Sequence, residues 1–404
     1  MMRTGFHFQE IFKPLFFLTQ ILCLAPYTIK NKRIIISKIR LILSVILVAA
    51  NVALTVIYFK NLNETLNTDF AKAGTIKFLS IFRDLGSTAV MVVNVAFSYG
   101  HSKRLLAELD KIYQVDKELA ELGLEDNINK ANASLKRNLK ILLVLVHLIF
   151  ITFGETGSAL LKEHERVMYL LVNLYPRLII GFLNITVYMV SMLIEGRFKI
   201  INLLFTRKMI ESNQLRKYPI EFDFCDKIKH LVSLHKVLVK VSKEINSNFS
   251  FQVLLCITMN FILLIGDLHT IMYIIFFGLF TKHSRIVFDI LKHCIGYIFD
   301  LFYIAKRSAD LCEEANRTKV LLLGIKIDVE KEDERNLVIA STLKLMQNKL
   351  EITACKLFNI DNALLFSICS AASSYLFIML QLDMGNKQNP TEAPMGVDNT
   401  TLIF

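Results

Sequence analysis

Seven long apolar stretches alternate with polar, charged segments along this chain, at roughly 41–59, 78–100, 139–161, 167–194, 251–280, 285–305 and 361–383. At 1.5 Å per residue each is long enough to cross a ~30 Å hydrocarbon core as a helix. An earlier apolar run, Ile11 to Ile29, is broken by Lys13, Pro14 and Pro26 and lacks a small-residue cleavage site. It predicts an amphipathic or re-entrant helix within an N-terminal segment, 1–38, and not a signal peptide. Helical periodicity continues between the spans. Leu105, Leu109, Ile112 and Leu119 repeat within 102–122, and Ile228, Leu231, Leu234, Leu238 and Val241 repeat within 196–250. The predicted fold is therefore all-α: a polytopic membrane protein with seven transmembrane helices, six of them in 39–305, and long helical extensions of spans two to six. Between spans six and seven, 306–360 holds the charged run Glu330-Lys331-Glu332-Asp333-Glu334-Arg335, which reads as a solvated loop. The tail, 384–404, carries Pro390 and Pro394 among Gly, Asn and Thr and reads as disordered.

Charge gives these spans a direction. Lys and Arg number 6, 7, 11 and 10 in one set of connecting segments and 3, 2, 2 and 1 in the other, a split of 34 against 8. Basic residues stay cytoplasmic in short loops, so the N-terminus and the helical extensions are expected inside and the C-terminus outside. That is the reverse of a G-protein-coupled receptor. The net charge of +11 follows from this asymmetry and calls for no nucleic-acid partner. Cys23, Cys225, Cys312 and Cys355 fall in inner segments and Cys256, Cys294 and Cys369 in spans, so no extracellular disulfide is expected. The acceptor sequons Asn63-Glu64-Thr65 and Asn399-Thr400-Thr401 fall outside. The outer loops are too short for a ligand-binding domain, so a ligand must enter between the helices. No internal repeat supports an inverted-repeat transporter.

Enzymatic signatures are absent: no phosphate-cradling glycine loop, no nucleophile elbow and no paired metal-ligand motif, hence no enzyme, cofactor or metal is expected. Ionisable residues within spans carry more information, because each is costly in hydrocarbon unless it faces protein or water. In the deduced orientation Arg83, Asp84, Glu155, Tyr175, Arg177, Asn184, Tyr188, Asp267, His269, Thr270, Asp289 and His293 all fall between the middle and the outer ends of spans two to six. Two readings are open. Singly, such residues form structural ion pairs, such as Arg83 with Asp84 or Arg177 with Glu155. As a convergence of five spans they line a pocket open to the outside, and the pocket is the reading adopted. Its candidate ligand-binding residues are Asp84, Glu155, Arg177, Asp267, His269 and His293. Span seven differs. Ser367, Ser370, Ser374 and Gln381 share one helical face with Ile378 between them. Small hydroxyls allow close helix contact, whereas a glutamine at the outer end of such a stripe fits a water-facing lining.

At its C-terminal end the chain resembles the insect gustatory receptor family. Ile352-Thr353-Ala354-Cys355-Lys356-Leu357-Phe358-Asn359-Ile360-Asp361, followed by Ser374-Tyr375, five apolar residues and Gln381-Leu382, is similar to the family's closing pattern of Thr-Tyr, five apolar residues and Gln-Phe. Glu314-Ala315-Asn316-Arg317-Thr318 is similar to its recurring stretch after span six. Ser374 replaces Thr, Leu382 replaces Phe, and Lys356 stands where the family often has Gly. Leu24-Ala25-Pro26-Tyr27, with Asp84, resembles the fructose-receptor branch. The resemblance implies a ligand-gated, non-selective cation channel in the plasma membrane of a sensory neuron. It implies a homotetramer, with a hetero-oligomer of related receptors as the alternative, whose subunits are joined by the inner extensions of spans four to seven. Span seven, 361–383, would line the pore with Ser374, Tyr375, Ile378, Gln381, Leu382 and Asp383. The partners so implied are a small-molecule tastant, permeating cations and the lipid bilayer. A sugar or polyol is preferred over a bitter compound. Rival readings are an odorant-receptor-type channel, a bitter receptor, and a G-protein-coupled-type signalling receptor.

Overall fold

In a computed structural model of the protein, the described residues are 17, 27–30, 33–65, 74–158, 171–172, 175–206, 224–276, 278–325 and 331–388. Eight helices account for most of them: α1 Lys38–Thr65, α2 Gly74–Glu121, α3 Glu125–Ser158, α4 Tyr175–Phe205, α5 Phe224–Phe276, α6 Phe280–Leu323, α7 Glu332–Gln347 and α8 Asn362–Gln388. Two antiparallel hairpins complete the description, β1 Tyr27–Lys30 with β2 Arg33–Ile36, and β3 Thr353–Ala354 with β4 Phe358–Asn359. Five of these helices are long and apolar enough to cross a membrane: α1, α2, α4, α5 and α8. The remaining apolar stretches lie in α3 and α6. Charge keeps α6 out of that set, since Arg285, Asp289, Lys292 and Asp300 interrupt its stretch.

The extensions expected from periodicity are continuous with the spans. α5 runs for 53 residues, about 80 Å at 1.5 Å per residue, far more than a bilayer core requires. The core is built from α2, α4, α5 and α6, whose facing stripes bury Met91, Ile112, Leu119, Ile179, Met189, Leu193, Phe198, Leu238, Ile274, Leu301 and Ile304. α1 presents Ile39, Ile42, Val45, Ile46 and Val56 outward, as a lipid-facing helix must. Polar contacts tie it down instead: Ser44 Oγ with Tyr99 Oη at 3.0 Å, Asn51 Nδ2 donating to the Leu171 carbonyl at 2.7 Å, and Thr55 with Thr88 at 3.3 Å.

Several boundaries differ from the sequence reading. Span five ends at Phe276, because Gly278 takes φ +68° in a tight turn, a conformation open to glycine, and α6 restarts at Phe280. The charged run at 330–335 is not a loop. Glu332, Asp333 and Glu334 form the first turn of α7, where acidic side chains oppose the positive end of the helix dipole. Tyr27, Thr28 and Ile29, read as the end of an N-terminal helix, lie in β1; the rest of Ile11–Ile29 is outside the described residues apart from Phe17. Helix α8 continues past 383 to Gln388, so the tail begins later than expected.

The two motif fragments meet in space. Asn316 donates to the Leu350 carbonyl at 2.9 Å and accepts from the Leu350 amide at 3.1 Å. Glu314 and Thr318 grip Asn202 of α4, at 2.8 and 2.6 Å. The Ser250 hydroxyl of α5 donates to the Thr353 carbonyl at 3.0 Å and accepts from the Cys355 amide, clamping the β3–β4 hairpin. Cys355 and Lys356 sit at φ 51° and 60° in its turn, the left-handed region that favours glycine. Asp361 then caps α8, accepting from the amides of Ala363 at 2.9 Å and Leu364 at 3.2 Å. One end of the bundle therefore holds these extensions, and the other holds the Gly278 turn.

Candidate functional site

Near the turn end, helices α2, α4, α5 and α6 bring a charged cluster together. Helices α2 and α5 approach closely at Gly86, where a β-carbon would collide with the Met259 side chain. One turn away, Arg83 and Asp84 face α5. Arg83 Nη1 lies 3.6 Å from Asp267 Oδ1, and its Nε lies 3.5 Å from Asp84 Oδ1. From α6, His293 Nδ1 lies 3.6 Å from Asp267 Oδ2. Arg177 of α4 adds a second guanidinium acting on Asp84, His293 and Tyr297. Asp84, Asp267 and His293 are 3%, 6% and 8% exposed. These three separations are longer than the 2.7–3.2 Å of a good hydrogen bond. Asp84 Oδ1, Asp267 Oδ2 and the Tyr297 hydroxyl are buried and make no hydrogen bond among the described residues. Buried oxygens without hydrogen bonds are uncommon, because each forfeits its hydration without replacement. Four of the six residues proposed from sequence, Asp84, Arg177, Asp267 and His293, thus come together.

Of the other two, one lies elsewhere and the side chain of the other is not described. Glu155 lies on α3, but its side chain is outside the described residues, as is that of Asp289. His269 is two residues from Asp267, about 200° around α5, so it faces the opposite way. It is fully buried against α8, where its Nε2 lies 2.8 Å from Asp383 Oδ2. This corrects both assignments together. His269 is not in the charged cluster, and Asp383, expected in the outer mouth of a pore, is 9% exposed and turned back onto α5.

Most of the rest of α8 is exposed on the subunit. Ser367, Ser370, Ser374, Tyr375, Ile378, Gln381 and Leu382 are exposed on the subunit, whereas Ala372, Leu380 and Asp383 pack inward. The Ser367 and Ser374 hydroxyls donate to carbonyls four residues earlier, at 3.2 and 3.1 Å, and so do not need a partner across the face. Phe366 and Phe377, 78% and 64% exposed, flank the stripe.

Deeper in the bundle lies a node that sequence reasoning missed. Asp300 of α6 accepts from Asn184 Nδ2 at 3.5 Å and interacts with Asn260, while its carbonyl accepts from the Tyr188 hydroxyl at 3.3 Å. Tyr188 and Tyr303 meet edge to face with centroids 4.8 Å apart. Its signal was present: His293, Tyr297 and Asp300 follow at i, i+4 and i+7 on one helical face. The extension end holds a second arginine cluster that was also missed. Arg197 donates to both Asp116 oxygens, at 2.9 and 2.7 Å, and to Asn132 Oδ1 at 2.7 Å, and it is 1% exposed. In the sequence it counts as one more cytoplasmic charge.

Comparison with known proteins settles the family. The profile described as 7tm chemosensory receptor matches residues 12–386. The chain belongs to that family. A Drosophila melanogaster protein with the provisional name gustatory receptor 28b is 23% identical over 167 residues, 40% of this chain and 35% of its own length. The Drosophila gustatory receptor for bitter taste 66a is 21% identical over 169 residues, 40% of this chain and 32% of its own. The matched regions thus span about a third of these curated relatives. The fold is similar to that of the insect olfactory receptor OR5 from Machilis hrabei, with a TM-score of 0.67 over 93% of this chain and 99% of that one at 12% identity. OR5 in complex with eugenol matches with a TM-score of 0.63 at 11% identity. This receptor-family chain is thus a mostly helical, multi-pass membrane protein.

Proposed function

We propose that this chain is one subunit of a tetrameric cation channel of the plasma membrane, opened by a small tastant bound in the Arg83–Asp84–Asp267–His293 cluster. The single observation that supports a ligand there is the loose, underbonded geometry of that cluster. Asp84 Oδ1, Asp267 Oδ2 and the Tyr297 hydroxyl are buried beside two half-buried guanidiniums, and these three oxygens make no hydrogen bond among the described residues. A ligand hydroxyl can donate to Asp84 or Asp267 and accept from Arg83 or Arg177, replacing lost hydration. This ligand chemistry covers sugars and polyols. The relation to a bitter receptor and to a receptor solved with the phenol eugenol widens it to hydroxyl-bearing aromatic and bitter compounds.

In this reading the extension end faces the cytoplasm and the Gly278 turn faces outside, which accords with the 34-to-8 charge split. The exposed stripe of α8 faces a shared axis, with Gln381 and Leu382 at the outer constriction, where a ring of leucines closes the path by dewetting. Each subunit alone leaves that stripe bare. The test is a recording from the purified protein in a planar bilayer while sugars, polyols, phenols and bitter compounds are applied in turn. Agonist-dependent cation current without any added cytoplasmic protein is expected. Signalling only through a cytoplasmic partner, with no current in the bilayer, rules the channel out.

A further inference from the structure

A cavity of about 430 Å³ lies at the extension end, between α3, α4 and α6, and the tastant reading makes no use of it. Lys130, Ser134 and Asn138 line it from α3, Glu195 and Lys199 from α4, and Arg307 from α6. Three cations against one carboxylate give the wall a positive balance. Its position along each helix is the same. Residues 130–138 lead directly into the apolar stretch at 139, 195–203 follow the one ending at 194, and Arg307 follows the one ending at 305. The cavity therefore sits where three helices leave the hydrocarbon, at head-group depth.

Arg307 is held rigidly there. Its Nη2 lies 2.6 Å from Asp310 Oδ2, its Nη1 lies 3.5 Å from Glu195 Oε2, and its guanidinium stacks over Tyr303 at 5.5 Å. Its Nε is buried and makes no hydrogen bond among the described residues. Beside this fixed guanidinium stand two ammonium groups within reach of a ligand: Lys130 is exposed, and Lys199, 58% exposed, is paired with Glu195 on the surface side. Fixed guanidinium with mobile ammonium suits phosphate oxygens, which accept from both. Met192 and Leu203 on the same wall offer apolar surface continuous with the bilayer.

We propose that this cavity binds a phosphate-bearing head group, with Lys130 and Lys199 closing over one phosphate beside the positive charge of Arg307. The proposal rests on the membrane placement above, in which this end meets the anionic cytoplasmic leaflet. The experiment uses the full-length protein in nanodiscs of phosphatidylcholine, titrated with short-chain phosphatidylinositol bisphosphate and, separately, with soluble inositol trisphosphate. Saturable binding is expected, weakened at least about tenfold in Lys130→Ala/Lys199→Ala and in the cavity-filling Ala131→Phe. The exposed cations Lys229→Ala and Lys349→Ala lie outside the cavity and should leave affinity unchanged. Tighter binding of the lipid assigns the site to the membrane, and equal binding assigns it to a soluble phosphate; either supports a phosphate site. Equal loss in the cavity and control variants, or no saturable binding by the parent, overturns it. Because no current is measured, a protein that binds the head group yet never conducts would refute the channel and leave this site standing.

Discussion

At the extension end, Arg197 meets Asp116 through bonds of 2.9 and 2.7 Å, and Asn132 takes a third at 2.7 Å. At the turn end, Arg83 stands 3.5 and 3.6 Å from Asp84 and Asp267, and buried oxygens of both aspartates are left without hydrogen bonds. The residue types are the same and the carboxylates are equally buried, but the Arg83 side chain is 27% exposed against 1% for Arg197. A bidentate guanidinium–carboxylate pair with a third acceptor compensates its own desolvation and has nothing left to offer a ligand. A loose pair has not done so, and a ligand that completes it recovers what burial cost. A closed cluster holds the fold, and the open one is where the proposed ligand would complete the bonding.

The largest expected effect lies at the closed cluster. Arg197→Met leaves Asp116 buried with its charge uncompensated, which costs about 3–5 kcal/mol. Thermal denaturation of the purified protein should show this loss, and Arg197→Met/Asp116→Leu should recover most of it. A single variant as stable as the parent breaks the comparison. At the open cluster, Asp267→Asn should instead raise the half-maximal agonist concentration about tenfold or more, equivalent to ~1.4 kcal/mol, with little change in melting temperature. If Asp267→Asn unfolds the protein as Arg197→Met does, both clusters are structural.

Asp383 sharpens the contrast on α8, the proposed pore helix. Because its carboxylate bonds His269 and does not face open water, Asp383→Asn should keep that contact and carry parental inward current even at low ionic strength. A drop in current confined to low salt would return Asp383 to the mouth. The smallest effect concerns pH. His235, on the α5 extension, is 4% exposed, and burial holds its imidazole below the ordinary value of 6.5 although its Nε2 contacts the Ala315 carbonyl at 2.9 Å. The unfolded chain then binds more protons than the folded one below pH ~6.5, so stability falls as pH drops through that range. His235→Gln should flatten the decline of melting temperature between pH ~6.5 and 5, and an unchanged slope would place the acid sensitivity elsewhere.

Periodicity placed the long helices, because burial of one face repeats along a helix whatever it packs against. It missed the Gly278 turn, since an apolar run does not show where a backbone turns with positive φ. It also read 330–335 as loop, since a charge cluster at a helix start looks like one in solvent.

For this protein the sequence alone determined the membrane-spanning helical architecture, the expected direction of the chain through the bilayer, the family, and four residues that share the charged cluster. Length, hydropathy and charge asymmetry are properties of the chain, and they survive without coordinates. Only the tertiary structure decided which charges complete one another. Asp267 and His269 differ by two positions and look equivalent in a string, yet 200° of helix rotation sends one toward Arg83 and the other toward Asp383. Arg197 and Arg83 look alike as well, and the partners that distinguish them, Asp116 and Asn132 against Asp267, lie 81, 65 and 184 residues away along the chain.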